Sequence, residues 1–145
     1  MRYTFLFSIL VLLSLSCNKD KFSSTPSLKF KSVNTTSLHN QQLLQFDLSF
    51  TDAEGDLTDS IFVQEIEPRC ALSNFSTLYP LPVFPTTKNQ KGDLTVTFGY
   101  NVSGYSSISP KCTQNDTAVF RFVLRDKANH ASDTVSSPPI ILYYP

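Results

Sequence analysis

The side chains with the most chemistry to offer are carboxylates. Asp52, Glu54 and Asp56 fall within the single run Asp52-Ala53-Glu54-Gly55-Asp56, and a second acidic corner begins at Asp126 in Arg125-Asp126-Lys127-Ala128-Asn129-His130. Oxygen donors spaced this closely suit Ca²⁺, which takes about six to eight oxygens, and Asp126 joins the set if the fold brings both corners to one end. The run is not an EF-hand loop: Gly55 stands fourth and Val63 twelfth, where that loop needs its glycine sixth and a glutamate twelfth. A second reading stays open beside calcium, because Asp and Gly are strong turn formers and Asp52 or Asp56 can bond its own backbone.

Nucleophilic catalysis has little to build on. The chain has two histidines and four glycines, and no G-x-S-x-G elbow that would expose an activated serine. His39 lies in a polar stretch between two expected strands and His130 in a turn, so both are read as solvated. Glycoside hydrolysis needs a pair of carboxyls flanking the bond, and spacing along the chain cannot show which ones meet. A small hydrolase assembled from the acidic corners is therefore the alternative to a non-catalytic binding module. The absence of tryptophan weakens a sugar platform, for which Tyr79, Tyr100, Tyr105, Tyr143 and Tyr144 are the aromatic substitutes.

The first sixteen residues are of another kind. Met1 and Arg2 precede a nearly unbroken apolar run from Phe5 to Leu15, then Ser16-Cys17. A membrane span needs about 20 apolar residues, so this run is too short to cross. A positive start, a short apolar stretch and a small residue before the cut are the marks of a secretory signal. Leu13-Ser14-Leu15-Ser16-Cys17 resembles the lipobox of bacterial lipoproteins, in the looser form with serine before the cysteine that is familiar from the Bacteroidota. It departs from the common pattern at Ser14, where leucine is usual. The resemblance implies cleavage after residue 16, acyl chains on Cys17 and its new amino terminus, and a place in the bacterial envelope, at the periplasmic or surface face of the outer membrane. Each buried CH₂ contributes about 0.8 kcal/mol, and several chains together hold a protein durably. Residues 17–26 then form a tether, in which Lys19-Asp20-Lys21 faintly resembles the charged export signals of surface lipoproteins, and residues 27–145 form one domain.

With Cys17 assigned to lipid, Cys70 and Cys112 remain as an even pair. Exported domains live in oxidising compartments, where such a pair forms a disulfide. Closing a loop of about 40 residues stabilises by about 4 kcal/mol in the chain-entropy model. Metal is the weaker use of these thiols, since a zinc site draws on about four ligands and only His39 and His130 accompany them.

The elements that must position these groups are strands. Leu28 and Phe30, Leu44 to Phe50, Leu94 to Tyr100 and Ala118 to Leu124 alternate apolar and polar residues, and Ile61 to Ile66 and Ile140 to Tyr144 add shorter runs. Period two marks half-buried strands. Nine prolines and abundant Ser and Thr argue against helices, and Tyr79 to Pro85, with three of those prolines, reads as an edge or an extended loop. Strands at this spacing predict an all-β fold, an antiparallel β-sandwich of immunoglobulin-like type with about seven strands.

The two acidic corners also resemble the turns of bacterial immunoglobulin-like and cadherin-like extracellular domains, with Asn129 where glycine is usual and His130 where asparagine is usual. Asp59-Ser60-Ile61, Asp116-Thr117-Ala118 and Asp133-Thr134-Val135 resemble the O-glycosylation sequon of secreted Bacteroidota proteins, which makes Ser60, Thr117 and Thr134 candidate sites. Twelve basic and twelve acidic residues leave no field to draw in nucleic acid. The expectation is a membrane-anchored envelope lipoprotein that is not an enzyme, a binding or accessory module for a protein or glycan partner, with no cofactor unless calcium.

Overall fold

The computed structural model describes residues 23–145. The signal segment, Cys17 and most of the tether lie outside them. Ten strands are present among the described residues: β1 (Ser27–Val33), β2 (Ser37–Leu38), β3 (Leu43–Asp52), β4 (Leu57–Ile66), β5 (Phe75–Pro80), β6 (Gln90–Gly99), β7 (Ser106–Ser107), β8 (Asp116–Asp126), β9 (Val135–Ser136) and β10 (Ile140–Leu142). Helical structure is confined there to a short 3-10 turn, Ala71–Ser73. Seven strands remain when the two-residue strands β2, β7 and β9 are set aside, which is the expected number.

Two sheets form the sandwich. One has the order β1-β3-β6-β7, and the other β2-β10-β8-β4-β5, with β9 also on β8. The trio β1-β3-β6 opposite β10-β8-β4 is the A-B-E against G-F-C arrangement of an immunoglobulin-like sandwich. The sheets are not wholly antiparallel. β2 runs parallel to β10, and β7 parallel to β6; β2 follows a chain that has crossed from the sheet of β1, whereas β7 returns beside β6 in the same sheet. Prolines explain why the last strand is split: β9 and β10 both pair with β8, and Pro138 and Pro139 between them lack the N–H a ladder needs.

The alternation read from the sequence sets the core. Leu44, Phe46, Leu48 and Phe50 of β3 and Ala118, Phe120, Phe122 and Leu124 of β8 are all buried, and the residues between them are not. Phe46 lies 4.9 Å from Phe120 and 5.1 Å from Phe122 between ring centroids. Phe98 adds contacts to Phe75 and Tyr79 at 5.9 and 6.0 Å. Each fully buried phenylalanine contributes roughly 1.5–3 kcal/mol. β5 is an edge strand that ends at Pro80, opposite Ser60 of β4, and residues 81–85, with Pro82 and Pro85, continue outside any strand. The Tyr79 hydroxyl accepts a hydrogen bond from the Thr97 N–H, 3.3 Å away on β6, which closes that side of the sandwich. Cys70 and Cys112 form a disulfide with S–S 2.04 Å and Cα atoms 6.1 Å apart. It ties the connection after β4 to the loop before β8.

Candidate functional site

The inward register of β3 and β8 does not stop at the last apolar residue. Two residues past Phe50 it delivers Asp52, and two past Leu124 it delivers Asp126, both buried. The β3–β4 turn supplies Glu54 and Asp56 beside them, and ligand oxygens of Glu54, Asp56 and Asp126 all lie within 4.8 Å of one another. The two acidic corners thus meet at one end of the sandwich.

Local geometry explains how the turn is held. Gly55 has φ +66°, and a Cβ there would sit 1.9 Å from the Thr87 carbonyl oxygen, so only glycine lets this turn lie against the segment before β6. The Asp56 N–H donates to Asp52 Oδ2 at 3.1 Å, the turn-forming role that Asp residues often take. Lys127 N donates to the Asp56 carbonyl at 3.0 Å, which fastens the second corner to the first. There Asn129 adopts φ +70°, as its side chain allows. His130 is half-exposed and bound: its N–H and Nδ1 each lie 2.7 Å from an oxygen of Asp126. That hydrogen bond, then the charge of Asp126 and more weakly of Glu54 and Asp56, raises the His130 pKa. Asp52 Oδ1 and Asp56 Oδ1 are buried and have no hydrogen-bond partner among the described residues. Unpaired buried oxygens are costly, and a hard divalent cation would satisfy them. Chemically, the corner is a set of carboxylate donors with one imidazole held against it.

A second set of carboxylates escaped the sequence reading. Glu65, Glu67 and Asp116 are 2%, 1% and 0% exposed at the opposite end of the sandwich, next to the disulfide. Glu67 is satisfied by Arg69 N at 2.7 Å and by Thr117 N, with the Arg69 guanidinium 3.7 Å away. Ser73 Oγ donates to Asp116 Oδ2 and accepts from Lys111 N at 3.1 Å. Glu65 is pushed up to about 8, first by burial and then by Asp116 and Glu67, against the pull of Lys111. An acid kept neutral beside other carboxyls is the pattern of acid–base pairs, but all three are buried, and Glu65 Oε1 and Asp116 Oδ1 have no hydrogen-bond partner among the described residues. Extending the period-two pattern by one step would have found two of them: Glu65 follows Val63, and Asp116 precedes Ala118.

The other sites read from the sequence are scattered. Ser60 and Thr117 are half-buried within β4 and β8, and the Thr117 hydroxyl accepts from Arg69 at 2.8 Å. Thr134 is exposed just before β9. His39 lies in the turn after β2 with its ring stacked on Tyr143, centroids 4.2 Å apart.

Fold and sites together define a disulfide-bonded all-β sandwich with carboxylates gathered at both ends. No protein-family model matches the sequence, and no curated protein matches it. The solved structures it matches are distant. The sporulation control protein Spo0M of Bacillus subtilis is similar at 8% identity and TM-score 0.49, over 85% of this chain and 51% of that one, so the chain spans about half its length. A Niemann-Pick type C2 protein of the Japanese carpenter ant matches at 12% identity and TM-score 0.45, over 84% of this chain and 97% of the other. A β-glucosidase of Erythrobacter marinus matches at 10% identity and TM-score 0.44, over 81% of this chain and 15% of its own. Likeness at this level bears on no activity or ligand.

Proposed function

We propose that the chain is a lipid-anchored protein of the bacterial envelope whose sandwich is a non-catalytic binding module, held at the membrane through Cys17. The observation that carries the reading is how soon the fold begins after the lipobox-like run. The Ser23 carbonyl, a few residues past Cys17, already accepts a hydrogen bond from Ala53 N at 3.1 Å. Such a short link suits a tether from an acylated cysteine to a domain, and the disulfide suits an oxidising compartment. Metabolic labelling with an alkyne fatty acid tests the anchor: the parent protein is expected to take the label and Cys17→Ala to lose it. Equal labelling of the two would sink the proposal.

A calcium site is the second element of this reading, favoured by the approach of Glu54, Asp56 and Asp126 to within 4.8 Å and by the unpartnered Asp56 Oδ1 among them, while Asp52 stands outside that group and holds the turn through Asp56 N. Extracellular modules bind Ca²⁺ at roughly 10⁻⁴–10⁻³ M. Ca²⁺ at about twenty times such a Kd stabilises by about 2 kcal/mol, which raises Tm by several degrees. The same addition should leave Asp56→Asn nearly unmoved. No heat in a calorimetric titration and no change in Tm would end the calcium reading without touching the anchor.

A further inference from the structure

The end of the sandwich that buries Glu65, Glu67 and Asp116 also presents a surface of another kind. Opposite the Asp52–Asp126 corner, the turn at 39–42, the loop at 100–105 and the stretch at 143–145 carry no Asp, Glu, Lys or Arg. They carry amides and aromatic rings instead. Gln41 N donates to the Tyr100 carbonyl at 2.8 Å and Tyr100 N to the Gln42 carbonyl at 2.9 Å, so the turn and the loop are one unit. Their side chains lock further: Gln41 Nε2 donates to the Asn101 carbonyl, and Asn101 Nδ2 to Asn40 Oδ1, both at 2.8 Å. Gln41 and Asn101 hold left-handed backbone, φ +65° and +53°.

Beside these amides stands a rigid aromatic group. The His39 ring lies flat on Tyr143, 10° from parallel. The Tyr100 hydroxyl donates to the Tyr143 carbonyl at 3.0 Å, and Tyr144 N donates to Asn115 Oδ1 at 2.9 Å. The backbone under Tyr144 is therefore pinned while the residue itself stays 47% exposed.

We infer that this end of the sandwich binds a neutral glycan chain. The inference rests on the binding-module reading and names its ligand. A sugar ring offers a C–H face, which packs on an aromatic ring, and hydroxyls that both donate and accept. Amides answer both roles, and the charged side chains of this end stand on other segments, with Arg69 and Lys111 exposed and Glu65, Glu67 and Asp116 buried. Rings and amides already held by one another lose little freedom on binding. The tether enters at the other end, where Ser23 meets Ala53, so this surface faces away from a membrane that holds Cys17. A protein partner is the less suited occupant, since it would seek a large apolar anchor pocket, and of the exposed aliphatics Leu72, Leu78 and Val83 only Leu72, beside the disulfide, lies at this end.

The test uses the full-length protein in a non-glycoside detergent, titrated with neutral hexasaccharides of glucose, mannose, galactose and xylose, and with oligogalacturonate as the charged control. Binding is read by calorimetry, and again by tyrosine emission, which no tryptophan obscures. At least one neutral hexasaccharide should bind with Kd below about 1 mM, an affinity of roughly 4 kcal/mol. Tyr144→Ala and Asn40→Asp should each weaken it tenfold or more with Tm unchanged, Tyr144→Phe should retain it, and Lys88→Ala at the far end should leave it intact. Binding by none of the neutral sugars, by the charged control alone, or undiminished in Tyr144→Ala and His39→Ala would overturn the inference. Shorter oligosaccharides appearing in the mixture would support the glycan site and sink the non-catalytic reading, so the two fail separately.

Discussion

Glu65 occupies an inward position of β4 that Ile61 and Val63 fill with hydrocarbon two steps and one step earlier. Its folded-state pKa of about 8 stands far above the usual 4.5, and the sign of the consequence follows from linkage. Between those two values the folded chain holds a proton that the unfolded chain releases, so stability falls as pH rises through that window and levels off outside it. The slope reaches at most about 1.4 kcal/mol per pH unit. Glu65→Gln keeps the shape and cannot ionise. It is expected to flatten the decline of Tm between pH 5 and 8 and to be more stable than the parent by a few kcal/mol at pH 8.5. His130, raised by Asp126, contributes stability that is likewise lost as pH rises through its own folded value. The quantity to read is therefore the difference between variant and parent, in which His130 cancels. Parallel Tm curves would show that Glu65 does not hold the proton.

At the scale of the element, what could be read from the chain depended on how much of a strand is governed by one face. β3, β6 and β8 are long and flanked on both sides, so alternation named their inward residues correctly. β5 has no such signature: its residues are mostly exposed at an edge, and only Pro80 and the prolines after it marked the region. The parallel β2–β10 and β6–β7 contacts were invisible for a different reason, since two-residue strands are defined by their partner and not by any pattern of their own. The acidic corner was legible because turn chemistry is local. The Glu65, Glu67 and Asp116 group was legible only in part: the inward register reaches Glu65 and Asp116, but that they meet Glu67 depends on which strands end together. Gly55 shows how strongly a local choice can hold distant elements. Gly55→Ala forces a Cβ onto the Thr87 carbonyl and a side chain onto φ +66°, each of which costs on the order of 1–3 kcal/mol. Chemical denaturation should show a loss of about 2 kcal/mol or more, together with loss of any calcium response. A variant as stable as the parent would mean that the 81–89 segment is free to move off the turn.

Across the whole molecule, the Asp52 end and the Tyr144 end are separated by the length of β3, ten residues that span about 34 Å at roughly 3.4 Å each. Ser23 is fastened at the acidic end, and the chain between Cys17 and Ser23 can reach at most about 20 Å. An anchor at Cys17 therefore imposes a direction: the carboxylates of Asp52, Glu54, Asp56 and Asp126 stand toward the bilayer, and the Tyr144 end stands away from it. The sandwich would act as a spacer with a binding tip, and a cation at its base would lie within a short distance of anionic headgroups. This orientation can be measured without knowing any ligand. Lys88 and Ser103 are exposed at the two ends, and a fluorophore on Lys88→Cys or Ser103→Cys in the acylated protein reports the distance to a quencher carried on lipid. Strong quenching at residue 88 and weak quenching at 103 is the expected result. Equal quenching would mean that the domain lies on its side, which would place the outward rows of Lys29, Lys31 and Lys91 on the β1-β3-β6 face against the membrane in place of the acidic corner.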